Sequence, residues 1–327
     1  MFKRNYKSQN RILRLILRFL RVYAVQHDDF NLVNPPYKNE GKAVFQFNDK
    51  SFIFPNGYVD IKRKVKSLDI FLRYTPTVNL WNTSQRWKRI IQDIDKETLI
   101  LTCFNSLTTS IQKCQDKLDN QINITLHLVD DGHQEEFNKK LISLSERKNI
   151  KKTYNKNENQ GNRQSFLECL KLSRKSEDLV FFIEDDYLFE SNAIEELVLS
   201  FSRISTQINE DINMCPTDYP FYYDGLYKTS LMLGSHRKYR FVGETLMSFL
   251  TSKKIIDKHY DLIERVSTEE NDPFELPLHD LYKKSPCFAP VGSLAYHIGT
   301  IAPGLSPHAD WKSLWDKNII ISKKMFI

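Results

Sequence analysis

The sequence predicts an α/β fold: a mainly parallel sheet flanked by helices, preceded by an N-terminal extension. Three observations carry the prediction. Short apolar runs alternate with segments of helical period from about residue 96 to residue 205. Each apolar run closes on polar or acidic residues, namely Asn105, then Asp130-Asp131-Gly132, then Asn159-Gln160-Gly161, then Glu184-Asp185-Asp186. The composition, 327 residues with 41% hydrophobic and 12% aromatic content, is enough for an ordinary core. The organisation expected is an extension over 1–95, a first half over 96–215 and a second half over 216–327.

The extension holds a basic amphipathic segment, a break at Asn34-Pro35-Pro36, and alternating stretches over 43–47 and 51–54 that read as a hairpin. Residues 98–102 (TLILT) read as the opening buried strand, and Leu107, Ile111, Cys114 and Leu118 keep a helical period after it. Residues 122–129 form a second strand, and Phe137, Leu141 and Leu144 mark a helix. A weaker strand follows over 150–154, then a helix through Phe166, Leu167 and Leu170, then a strong strand over 179–183. Ile194, Leu197, Val198, Phe201 and Ile204 mark a further helix, opened by Asn192 with Glu195 three residues on.

Such alternation implies right-handed crossovers and parallel strands, and ligands of these sheets bind beyond the strands' carboxyl ends. The four polar closures would converge there. Three adjacent carboxylates in VFFIEDDYLF, hemmed by apolar residues, repel one another unless a cation shares their space. A solvated acidic turn is the plainer reading of an isolated triplet. Its place at the end of a buried strand, with a second acidic pair at a neighbouring end, favours a divalent cation.

These motifs together resemble the GT-A fold glycosyltransferases, most closely glycosyltransferase family 2. LILTCFNSL is similar to the family's opening strand, LHLVDDGH to its second-strand signature, ENQG to its Asn-x-Gly turn, and FFIEDD to its D-x-D motif in an E-D-D form. The resemblance spans roughly residues 97–205. It implies a nucleotide-sugar donor, a UDP-sugar foremost, contacted by Thr102, Phe104, Asn105, Asp130, Asp131, Gly161 and Asp185. It also implies Mn²⁺ or Mg²⁺ held by Asp186, by Glu184 directly or through water, and by a late histidine, His297; hard oxygen ligands suit either ion. The family's arginine after the Asn-x-Gly turn is missing from GNRQSF, and Arg163 is the nearby substitute.

An inverting transfer needs a base on the acceptor side. Asp280 in LPLHDLYKK precedes a short helix, a strand and His297, in the order the resemblance implies; Glu244 in FVGETLMSFL is the competing position. Aromatic residues over 218–227 offer faces for sugar stacking, and His236, Arg237 and Arg240 offer charges for phosphate oxygens.

The net charge of +6 selects no partner by itself, and basic residues interspersed with acidic ones argue against nucleic acid. Five dispersed cysteines without a C-x-x-C pair argue against a disulfide framework or structural zinc, and point to a cytoplasmic protein. Arg11, Arg14, Arg18 and Arg21 line one side of a helix over 11–25 whose other side is apolar. That helix suits peripheral contact with an anionic membrane, or docking on its own domain. The acceptor expected is a glycan or a lipid-linked precursor. Two alternatives share the sheet: a carbohydrate- or membrane-binding protein without catalysis, and a nucleotidyltransferase, against which the absence of glycine from CFNSLTTS counts.

Overall fold

The computed structural model describes residues 44–47 and 50–53 as strand backbone, and residues 61–77, 94–158, 160–223, 229–298 and 309–321 in full. The basic segment over 11–25, Asn159 and residues 224–228 lie outside them. The hairpin forms, with β1 (Val44–Phe47) antiparallel to β2 (Lys50–Ile53).

The main sheet opens with a strand the sequence pattern did not suggest. β3 (Ser67–Tyr74) lies inside its parallel half, paired in parallel with β4 (Asn123–Asp130) on one side and β6 (Leu179–Glu184) on the other. β5 (Lys152–Lys156) extends the parallel half as its edge. Beyond β6 the sheet turns mixed through β8 (Asn213–Met214), β9 (Leu231–Leu233), β10 (Lys238–Val242), β11 (Phe249–Ser252) and β12 (Cys287–Pro290). The strand order is β5-β4-β3-β6-β11-β8-β12-β10-β9. A separate ribbon pairs β7 (Tyr187–Phe189) with β13 (Ala295–His297).

Both sheet faces are covered. On β3, Leu68, Ile70, Leu72 and Tyr74 point into a core shared with α1 (Lys96–Lys117), α2 (Glu135–Arg147) and α4 (Ala193–Ile208). Phe71 points the other way, into a second core with α3 (Asn162–Ser173), α5 (Lys253–Thr268) and α6 (Leu276–Tyr282). At roughly 1.5–3 kcal/mol for each fully buried aliphatic or aromatic side chain, these two layers are the main source of stability.

The expectation of a strand over 98–102 is corrected: those residues are the first turns of α1. Asp95 caps the helix, its Oδ1 accepting from the Thr98 amide at 2.6 Å. The run is apolar all round because the helix is buried on two sides. Ile100, Leu101, Phe104 and Leu107 face the sheet. Leu99 and Cys103 pack outward against Leu188, Tyr296, Ile298 and Trp315 of the ribbon and of α7 (Trp311–Asn318). Continuous apolarity does not separate a buried strand from a doubly buried helix. β3, which pairs with β4 and β6, lies within the span 1–95 expected as an extension.

Elsewhere the predicted strands over 122–129, 150–154 and 179–183 match β4, β5 and β6 within a few residues. Asn192 stands at the N-cap of α4 but makes no side-chain cap bond there. Glu195 instead pairs with Lys117 of α1 at 2.6 Å. All five cysteines are buried free thiols. Among the described residues no helix is long and apolar enough to cross a membrane.

Candidate active site

The parallel register aligns the carboxyl ends of three strands. Tyr74 of β3 stands beside Asp130 of β4, and Arg73 stands beside Glu184 of β6. The two acidic motifs therefore lie on one rim, separated by β3.

Asp130 is fully buried. Its Oδ1 accepts from the Gly132 and His133 amides at 2.9 and 2.8 Å, and its Oδ2 from Asn138 Nδ2 and Tyr154 Oη, both at 2.6 Å. Those bonds fill a carboxylate's four acceptor sites. Burial alone would raise its pKa, but the bonds outweigh burial and hold it below the usual range. Asp131 ties the next loop: it accepts from Asn157 Nδ2 at 2.6 Å and from the Gly161 amide at 3.0 Å. Gly161 has a φ of 117°, a backbone state in which a side chain would be strained. At Gly132 the constraint is space, because a Cβ would stand 2.6 Å from Pro76 Cδ.

Each carboxylate of the triplet has its own basic partner, and each partner comes from a different element. Arg73 of β3 donates from Nη2 to Glu184 Oε1 at 2.6 Å. Lys96, the first residue of α1, donates to Asp185 Oδ1 at 2.6 Å, while the Thr75 amide donates to Asp185 Oδ2 at 3.0 Å. His297 of β13 donates from Nε2 to Asp186 Oδ2 at 3.0 Å. The ribbon delivers this histidine: it pairs with Tyr187 in register, stacks on that ring at 5.0 Å, and the Ile298 amide donates to the Asp186 carbonyl.

Burial opposes ionisation throughout the triplet. Glu184 is raised despite Arg73. At Asp186 the neighbouring His297 outweighs burial and brings the carboxyl down to about 2. Asp186 Oδ1 and His297 Nδ1 are buried with no hydrogen-bond partner. Among the described residues no group of three or more His, Cys, Asp or Glu side chains is arranged to hold a metal ion. Asp186 and His297 are the members that fit one: a hard oxygen and an imidazole side by side, each with an unsatisfied atom.

Several predicted positions fall elsewhere. Thr102, Phe104 and Asn105 sit inside α1, because the strand expected there is a helix, and of the three Phe104 lines a small cavity with Glu184 and Asp185. Thr102 donates to the Thr98 carbonyl and accepts from the Ile320 amide, and Phe104 is core. Asn105 joins α1 to Lys148 at 2.7 Å and to the Asn318 carbonyl at 3.1 Å. Arg163 lies on the surface of α3, 4.0 Å from an exposed Glu270. The arginine that does reach the start of α3 is Arg73, which donates to Asn162. His236, Arg237 and Arg240 are engaged within the fold: His236 by buried Glu196, Arg237 by the carbonyls of Gly292 and Ser293, Arg240 by Asp218 and the Tyr222 carbonyl.

Asp280 is exposed on α6 and bonded to Lys283 at 2.7 Å. Glu275, at the N-cap of that helix, was missed. Burial raises its carboxyl, Glu244 pushes the same way, and His279 and His297 oppose them. The loop bearing Glu244 borders the triplet, for Ser248 Oγ accepts from the Glu184 amide at 3.1 Å and His279 Nε2 bonds the Thr245 carbonyl at 3.3 Å.

The family model for glycosyl transferase family 2 matches residues 98–261, half of the chain, spanning α1 through most of α5 and so both acidic motifs. The chain belongs to glycosyl transferase family 2. This glycosyltransferase has the GT-A fold, with the parallel half of its sheet bearing the acidic rim. No curated protein matches its sequence. Among solved structures, the glycosyltransferase is similar to GalNAc-T7 with UDP, GalNAc and Mn²⁺ (TM-score 0.46, 11% identity), covering 75% of this chain and 45% of that one. It is similar to residues 1–349 of S. aureus TarS (TM-score 0.43, 10% identity, 70% of this chain and 60% of that one). A UDP-glucose pyrophosphorylase complexed with UDP-glucose is also similar (TM-score 0.41, 10% identity, 72% and 94%). The chain thus spans less than two thirds of the first two.

Proposed function

We propose that this glycosyltransferase moves a sugar from a nucleoside diphosphate donor to a hydroxyl of a glycan or lipid-linked acceptor, with inversion and with a divalent cation. The observation that carries the reading is the common rim of Asp130-Asp131 and Glu184-Asp185-Asp186 at neighbouring strand ends of the parallel sheet. A nucleotide would lie across that rim, with its base against residues 75–77 and Asp131. Asp130, its acceptor sites filled by the chain, shapes the turn beneath. Gly132 and Pro76 pack too closely for any side chain between them, which keeps this wall flat.

Asp186, with His297 beside it, would hold Mn²⁺ or Mg²⁺. When bound, the ion supplies Lewis-acid stabilisation of charge on the departing diphosphate. Arg73 and Lys96 add fixed positive charge on the same rim. On the acceptor side, Glu275 takes the proton of the attacking hydroxyl: its raised carboxyl suits a general base, and it opens a helix beside Glu244. This replaces Asp280, whose carboxylate is committed to Lys283 at the surface.

The test is a panel of nucleotide sugars incubated with the full chain and Mn²⁺, read as nucleoside diphosphate release. One donor is expected to be turned over, and chelation to stop it. Absence of turnover and of metal-dependent donor binding across the panel would overturn the reading.

A further inference from the structure

The β9–β10 hairpin carries an apolar face that the fold leaves open. Register sets Leu231 beside Arg240 and Leu233 beside Lys238, so these four side chains share one face of the sheet. The Val291 amide donates to the Lys238 carbonyl and extends the row beyond β12, and the Arg240 guanidinium lies over the Tyr223 ring, 4.1 Å from its centroid. Tyr223, Leu231, Leu233 and Val291 are 38–59% exposed, four of the eight large apolar side chains left so open among the described residues. The hairpin turn is held in place: buried Glu196 accepts from the His236 and Arg237 amides at 3.0 and 3.1 Å, and Ser200 Oγ accepts from the Ser235 amide at 2.8 Å.

The charge of the hairpin is one-sided. Residues 229–242 include His236, Arg237, Lys238 and Arg240 and no acidic residue. Arg240 and His236 meet the buried carboxylates of Asp218 and Glu196, whereas Arg237 donates to the neutral carbonyls of Gly292 and Ser293, and Lys238 is exposed. Exposed aliphatic side chains beside uncancelled positive charge match the acyl boundary and headgroups of an anionic bilayer. A second copy of the chain is disfavoured, since a two-fold contact on this face brings like charges together. We propose that Tyr223, Leu231, Leu233 and Val291, with Arg237 and Lys238, form a docking surface for an anionic lipid bilayer. β11 is antiparallel to both β6 and β8, β12 is parallel to β8, and β10 and β9 then alternate. Leu233, Lys238 and the turn between them therefore stand at the same end of the sheet as the acidic rim. Docking holds that rim near the headgroups, which, on the transferase reading above, selects a lipid-linked acceptor over a free glycan.

Co-sedimentation of the full chain with vesicles tests it, using phosphatidylcholine alone and an equal mixture of phosphatidylcholine and phosphatidylglycerol. The wild type is expected to bind the mixed vesicles about tenfold more tightly, and added salt to weaken that binding. Leu231→Ser combined with Leu233→Ser should weaken it by about tenfold or more, and Lys238→Gln by about fivefold. A double variant that is folded by circular dichroism and binds as wild type overturns the proposal, as does a wild type that binds neither vesicle. A loss confined to Leu17→Glu places the contact on the segment over 11–25 and also overturns it. So does a dimer, seen by sedimentation velocity, that the double variant abolishes while vesicle binding persists. If the double variant does not fold, Lys238→Gln decides: weaker binding to the mixed vesicles supports the proposal, and unchanged binding overturns it. Donor turnover without vesicles should be the same in the double variant as in wild type, so the transferase reading stands or falls separately.

Discussion

His297 Nε2 and Asp186 Oδ2 stand 3.0 Å apart although 111 positions separate them in the chain. The contact joins the end of the main sheet to the β7–β13 ribbon and completes a triplet in which each carboxylate meets a basic side chain from another element.

Asp186→Ala should reduce turnover below detection while circular dichroism and melting temperature show a folded protein, since the side chain is at the rim rather than in the core. His297→Ala should lower activity by about 10²-fold, the scale of losing one electrostatic stabiliser of the leaving group. Retention of full activity by either variant would remove the pair from the chemistry.

Glu275→Gln should lower kcat by about 10²-fold or more, with the donor KM little changed, because a general base acts in the transition state. Asp280→Asn should stay within about twofold of wild type, as is usual for a surface ion pair of small consequence. The reverse result would return the role to Asp280, and a comparable loss only in Glu244→Gln would assign it there.

Acid should destabilise the protein partly through Asp130. Its folded pKa lies below the unfolded value, so its contribution is present above about pH 4 and is lost as the pH falls through the folded value. Thermal melting between pH 3 and pH 7 should show a steep acid limb in wild type and a shallower one in Asp130→Asn. Equal slopes would mean that the hydrogen bonds from Gly132, His133, Asn138 and Tyr154 do not depress that carboxyl.

Gly132→Ala should cost about 1–3 kcal/mol, the usual penalty for overpacking, because its Cβ would meet Pro76 Cδ at 2.6 Å. UDP affinity should fall with it, since the same turn forms the wall on which the base is proposed to rest. Chemical denaturation and equilibrium binding read the two effects separately, and a variant as stable as wild type would show that Pro76 yields without cost.

Much of the rim was legible from residue order. Asp130-Asp131-Gly132 and Glu184-Asp185-Asp186 each follow an apolar run whose period and length announce a buried strand, and the helices between them keep their spacing. β3 was not, because Asp69 and Arg73 break what would otherwise be a continuous apolar run. Their partners, His127 at 3.0 Å and Glu184 at 2.6 Å, lie on neighbouring strands and are invisible from within the segment. A readable signal was there all the same: an eight-residue run with Leu68, Ile70 and Leu72 on one face, stopped by Thr75-Pro76.

Local pattern by itself determined the α/β alternation from β4 onward and the acidic chemistry at the ends of β4 and β6, because hydrophobic period and strand-end polarity are properties of neighbouring residues. Only the tertiary structure decided that residues 98–102 are helix, that β3 divides the two acidic motifs, and that Arg73, Lys96 and His297 each answer one carboxylate. Charge pairing and double-sided burial are relations between segments distant in sequence, and they exist only once the sheet has brought those segments within a few ångströms.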